Sequence, residues 1–215
     1  MTDKLLGILK EKYTLDALDV GDFSRLKASG MKFSVAVYRA EGLGHVSVMR
    51  ARGFFGLMRM DTLMIVPDAL DLPLYSYDRI YAMGNDTLIV ELYDTLLGER
   101  DLSALTAVKE RFAHLSERDP GEHWYDSIKL PESISKKGKK AEERDFDALA
   151  TEHFCAYLGI DAPAVSDKEK KRELSARYVE GLLSEGGPST DVFKRELGAE
   201  RTAELFRKVL FGTGL

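Results

Sequence analysis

Between residues 31 and 95 the chain is written in period two, and the links between its periodic segments are too short for anything but antiparallel neighbours. MKFSVAVYRA places Phe33, Val35 and Val37 on one side and Ser34, Ala36 and Tyr38 on the other, the alternation of a half-buried strand. Glu41-Gly42-Leu43-Gly44 turns the chain, HVSVMRA repeats the alternation, and Gly53 and Gly56 bracket the next break. Leu57 to Val66 is apolar apart from Arg59 and Asp61 and stops at Pro67-Asp68. Tyr77 to Met83 and Thr87 to Tyr93 flank Gly84-Asn85-Asp86, a connection of hairpin type. Parallel pairs need crossovers of about a dozen or more residues, so five or six sequential strands predict an antiparallel meander and disfavour a doubly wound nucleotide fold.

After residue 100 the period changes. Leu105, Val108, Phe112 and Leu115 follow helical spacing, and further helices are predicted over Phe146 to Leu158, Asp167 to Leu183, Ser189 to Leu197 and Ala199 to Leu210, with capping residues and glycines at their ends. Residues 117–144 are polar and contain Ser135-Lys136-Lys137-Gly138-Lys139-Lys140, which reads as a long surface loop. The expected architecture is of the α/β class, a three-layer α/β/α sandwich with a central antiparallel sheet flanked by helices. One domain over residues 1–215 is expected, strand-rich at 31–95 and helix-rich at 101–212.

With 44% hydrophobic residues the chain can bury a core, and its net charge of −5 gives no global case for nucleic acid. A lone Cys155 excludes a disulfide framework, a four-cysteine zinc site and a protein-held iron–sulfur cluster. No apolar run reaches the roughly 20 residues of a membrane span, and MTDKLLGILKEKY lacks the pattern of a signal peptide. A cytoplasmic monomer, with no membrane partner, is the expectation. Gly42-Leu43-Gly44 lacks the third glycine of a dinucleotide fingerprint, and His45, His114, His123 and His153 have no ligand spacing, so no metal site is expected. Two carboxylates stand out. Asp61 interrupts an apolar strand and Asp78 opens another; on a half-buried face either would have a raised pKa and could donate a proton near neutrality, whereas on an exposed face either would be an ordinary surface charge. Two basic clusters break the acidic average: Lys136, Lys137, Lys139 and Lys140, and Lys168, Lys170, Lys171 and Arg172. They are either solvated faces or a docking patch for an acidic partner.

The stretch Asp71-Leu72-Pro73-Leu74-Tyr75-Ser76-Tyr77-Asp78 resembles the central motif of the ferredoxin-dependent bilin reductases, D-[IL]-P-[IL]-[FY]-G-x-D, which ends in the catalytic aspartate. Leu197-Gly198-Ala199-Glu200-Arg201 through Val209-Leu210-Phe211 is similar to that family's closing helix, and Ala176-Arg177-Tyr178 to the R-R-Y of the preceding one. The resemblance implies reduction of an open-chain tetrapyrrole such as biliverdin, lying between the sheet and the C-terminal helices. It implies no cofactor held by the protein: single electrons come from reduced ferredoxin, docked on the basic clusters, and protons come from side chains. Asp78 takes the place of the proton-donating aspartate.

The departures concern the other donors. Phycocyanobilin-forming members carry a histidine 17 residues before the aspartate, where this chain has Asp61, and two carboxylates in one pocket would share a proton. The family's glutamate on the preceding strand falls near Met49. Its second aspartate falls near Gly186-Gly187-Pro188, with Glu185 as the nearest carboxylate. These losses leave open a two-electron reduction, a tetrapyrrole other than biliverdin, as in the related red chlorophyll catabolite reductase, or a non-catalytic tetrapyrrole carrier or sensor. A cofactor-free interaction protein, with both aspartates in solvent, is the reading that needs no ligand.

Overall fold

The computed structural model describes residues 1–214. Helix α1 (Thr2–Lys12) leads into eight strands: β1 (Leu15–Leu18), β2 (Arg25–Ala28), β3 (Met31–Ala40), β4 (Gly44–Gly53), β5 (Met58–Pro67), β6 (Leu74–Ala82), β7 (Asn85–Tyr93) and, after helix α2 (Ser103–Arg111), β8 (Ile134–Lys139). Helices α3 (Glu143–Leu158), α4 (Lys168–Ser184), α5 (Pro188–Leu197) and α6 (Ala199–Glu204) follow, and the chain closes with a π-helical turn over Leu205–Leu210. The sheet runs β1-β3-β4-β5-β6-β7-β8, with β2 also paired to β3, and every pairing is antiparallel.

Alternation along the strands sends side chains into two cores. On one face Val46, Val48, Leu63, Ile65, Tyr75, Tyr77, Leu88 and Val90 pack under α1, α2 and α3 through Leu5, Leu9, Leu105, Phe146 and Phe154. On the other, Phe33, Val35, Met49, Met64, Leu74 and Tyr93 pack under α4, α5 and the closing turn through Tyr178, Val179, Phe193, Phe206 and Phe211. The three-layer α/β/α sandwich is therefore as expected, and both sheet faces are covered. The π-helical turn is fixed to the sheet by β4: His45 Nε2 lies 2.8 Å from the Val209 carbonyl, and the Ser47 hydroxyl donates to that of Leu210, also at 2.8 Å.

Two expectations are corrected. The polar segment 117–144 is not a long loop, since it contains a short helical turn at Trp124–Ile128, the edge strand β8 and the start of α3. The outer edge of β8 is covered in turn by residues 116–118: the Lys137 amide donates to the Ser116 carbonyl at 3.1 Å and the Arg118 amide to that of Ser135 at 2.9 Å. Neither basic cluster is a uniform patch either. Lys136 turns inward, its Nζ donating to the Leu115 carbonyl at 2.9 Å and to Glu117 at 2.5 Å, and Lys171 is fully buried. The remaining cations of both clusters, Lys137, Lys139, Lys140, Lys168, Lys170 and Arg172, are exposed.

Candidate active site around Asp78

Asp78 lies near the middle of β6 and faces α4. The strand register places Val35, Met49, Thr62, Asp78, Ile89 and Ser135 in one lateral row across six strands. A single carboxylate thus stands in an otherwise uncharged row, and Thr62 donates its hydroxyl to it. Burial pushes the Asp78 carboxyl up to about 6, against the opposing effect of the Thr62 hydrogen bond and with help from the negative charge of Glu91. The side chain nevertheless keeps partial contact with solvent.

A cluster of aromatic rings lies on the same face of the sheet, with Tyr125 and Tyr178 near enough to feel the Asp78 charge. Tyr93, at the end of β7, stacks on Tyr178 of α4 with ring centres 4.0 Å apart and meets Tyr125 edge-on at 5.6 Å; its hydroxyl donates to Glu91 at 2.6 Å. His123 stacks on Tyr125 at 4.8 Å. Burial raises Tyr93, Tyr125 and Tyr178 above the ordinary tyrosine value, and the Asp78 charge raises Tyr125 and Tyr178 further. These phenols therefore remain neutral hydrogen-bond donors at physiological pH, while Asp78, at about 6, is mostly ionised there and takes up its proton just below neutrality.

Two devices hold the rings in place. Trp124 packs on α4 at Gly181, where a Cβ would meet the indole at 2.2 Å, and its Nε1 donates to the Gly186 carbonyl at 3.1 Å. The helix itself is braced by Lys171, whose Nζ donates to Asp71 at 3.0 Å and to the carbonyls of Leu72 and Thr95 at 2.6 and 2.7 Å. Asp71 also pairs with Arg100 and accepts from the Leu97 amide. The motif that ends in Asp78 thus begins with a brace: Asp71 fixes the entry to β6 and the helix bearing Tyr178.

Asp61 does not join this site. In the register Thr62, not Asp61, is opposite Asp78, and Asp61 is opposite Arg79, so its side chain leaves the sheet on the α1 face. There it pairs with Arg52 at 2.6 Å. The expectation of two carboxylates in one pocket is corrected on this geometry. Met49 is buried beside Thr62 as an apolar neighbour, and Glu185 is exposed. Thr62, Glu91, Tyr93 and Tyr125 were not singled out in the sequence; Thr62 is the one hydroxyl in the Leu57–Val66 segment, a signal that periodicity alone does not rank. Two clefts lie away from Asp78: one of about 950 Å³ between α2 and α3, and one of about 740 Å³ bordered by His45, Arg39, Lys168 and Phe211.

With this geometry in view, comparison with solved structures finds a likeness over the whole fold. The structure is similar to that of phytochromobilin synthase from tomato in complex with biliverdin, with a TM-score of 0.75 and 15% sequence identity, covering 99% of this chain and 83% of that one. No protein-family model and no curated protein sequence matches the chain. At that identity the likeness establishes the fold, an α/β sandwich that in the tomato protein accommodates biliverdin.

Proposed function

We propose that this protein binds an open-chain tetrapyrrole of the biliverdin type on the Asp78 face of the sheet and reduces it, with Asp78 as principal proton donor. The observation that carries the reading is the Asp78 carboxyl itself, raised to about 6 and partly open to solvent among neutral tyrosines, on the fold of a protein solved with biliverdin. The conjugated ligand accepts electrons singly from an external donor of the reduced ferredoxin type, and each electron is followed by a proton. Two electrons and two protons saturate one double bond, and Asp78 regains its proton from solvent between steps. Thr62 orients the carboxylate, and the phenols of Tyr93, Tyr125 and Tyr178 supply hydrogen bonds without becoming charged. Arg and Lys side chains would meet the ligand's propionates. The exposed members of the two basic clusters would receive the acidic donor, a role no longer open to Lys136 and Lys171.

A second reading, a carrier or sensor that holds the pigment without turnover, is favoured by Met49, an apolar side chain beside Thr62, and by the exposed Glu185. One experiment separates the readings. Biliverdin is added to the purified protein, and reduced ferredoxin is then supplied anaerobically while the absorption spectrum is followed. Loss of the bound-biliverdin band to a reduced product supports the enzyme, an unchanged bound spectrum supports the carrier, and absence of binding overturns both.

A further inference from the structure

The turn between β4 and β5 and the turn between β6 and β7 lie side by side at one end of the sheet, where the Met83 amide donates to the Leu57 carbonyl at 3.4 Å. Together they present four large apolar side chains to solvent: Phe54 is 55% exposed, Leu57 68%, Met83 88% and Phe55 completely. Phe54, Phe55 and Met83 all have φ between 51° and 55°, a left-handed conformation uncommon for residues other than glycine. The backbone is thus held in an uncommon form that leaves these side chains outward.

Behind this tip runs a row of cations. Lys27, Lys32, Arg52 and Arg59 stand directly opposite one another across β2, β3, β4 and β5, so they share the α1 face of the sheet, and all four are exposed. At a strand spacing of about 4.8 Å the row spans roughly 14 Å. Like charges directly opposite each other weaken strand pairing, so the row works against the sheet that carries it. Among the described residues only Arg52 has a carboxylate partner, Asp61; Arg59 lies over the Tyr81 ring, 4.3 Å from its centre.

We propose that this end of the molecule is a membrane-contact surface, its apolar tip entering the headgroup boundary of an anionic phospholipid bilayer while the cation row rests on the phosphates. The proposal is independent of the reaction assigned to Asp78. Arg52 and Arg59 are each two residues from the apolar tip, about 7 Å along a strand, which matches the roughly 5–10 Å to which interfacial segments enter. The tip projects rather than forming a groove. A second copy meeting it face to face would bring two cation rows together, so a self-association site fits poorly. The overall charge of −5 does not prevent contact, because at a Debye length of about 10 Å the surface meets the local row rather than the chain's average. Among the described residues no helix is long and apolar enough to cross a membrane, and contact of this kind needs none.

Co-sedimentation with vesicles tests the proposal. The protein is expected to sediment with phosphatidylglycerol-containing vesicles at low salt, to be released by added salt, and to remain in solution with pure phosphatidylcholine. Phe55→Asp combined with Leu57→Asp should weaken vesicle binding about tenfold or more. Lys32→Glu combined with Arg59→Glu should weaken it at least about fivefold per cation reversed. Phe55→Ser is a milder second variant, and unchanged circular dichroism confirms that each variant folds. Equal binding to both vesicle types, no binding to either, undiminished binding by the folded tip variants, or capture by polyglutamate in place of anionic vesicles would each overturn the assignment.

Discussion

Thr62 on β5 and Asp78 on β6 stand directly opposite each other in the sheet, and the threonine hydroxyl donates to the aspartate carboxylate. That hydrogen bond favours the charged carboxylate, while burial favours the neutral acid and prevails, leaving the folded value at about 6. Because the value is raised, the folded state retains a proton that the unfolded chain has already released between about pH 4 and pH 6, so Asp78 lowers stability as pH rises through that window. Asp78→Asn cannot ionise. Its stability relative to the parent should therefore increase between pH 4 and pH 7, by no more than about 3 kcal/mol, as read from denaturant midpoints of both proteins at each pH. Thr62→Val keeps the shape and loses the hydrogen bond, so it should move the Asp78 titration, and any pH limb of pigment reduction that depends on it, to higher pH.

Lys171 is a fully buried cation whose amino group is shared among Asp71 and the carbonyls of Leu72 and Thr95. Lys171→Met leaves Asp71 with Arg100 and the Leu97 amide as its partners and leaves both carbonyls without this donor. Removing one member of a buried pair costs about 3–5 kcal/mol, and a loss of that size is expected in urea denaturation. Pigment affinity should fall with it, because the same brace sets the height of Tyr178 over the sheet.

Gly181 is the point on α4 at which the indole of Trp124 rests. Alanine is the better helix former by about 1 kcal/mol, but a methyl group at 2.2 Å from the ring cannot be accommodated, and overpacking costs about 1–3 kcal/mol. The clash should prevail and turn the ring outward. Trp124 is the only tryptophan in the chain, so Gly181→Ala should show a red-shifted emission that reports this site without interference.

How much of this could be read from the residues depended on the strength of each local pattern. Phe33, Val35 and Val37 alternate cleanly and form the buried side of β3, and Asp167 caps α4 by accepting from the Lys170 amide, so β3 and α4 were legible. The strand β8 was not, because four lysines between residues 136 and 140 outweigh Ile134 in any local reading; what turns Lys136 inward is Glu117 and the Leu115 carbonyl, supplied by a distant segment. The short strands β1 and β2, four residues each, exist through their pairing with β3. Lys171 reads as one more charge in a basic run, and only the folded chain brings Asp71 to it. Above all, local pattern could not set the register between β5 and β6, since that depends on how residues 68–73 cross from one strand to the next.

That register decides the last prediction. Thr62 opposite Asp78 places Asp61 opposite Arg79, and successive residues of a strand project from opposite faces. Asp61 therefore faces away from α4 and Tyr178, and its partner Arg52 is 45% exposed at the side chain, so their pairing contributes about 1 kcal/mol or less. Asp61→Asn should leave the spectrum of bound biliverdin and the rate of its reduction close to those of the parent, with a stability change within about 1 kcal/mol. Asp78→Asn should instead slow reduction about 100-fold or more, the usual scale for losing a positioned acid, while the pigment still binds. Equal losses in the two variants, measured by anaerobic reduction of pre-bound biliverdin, would place both carboxylates in one site and contradict the face assignment on which the proposed chemistry rests.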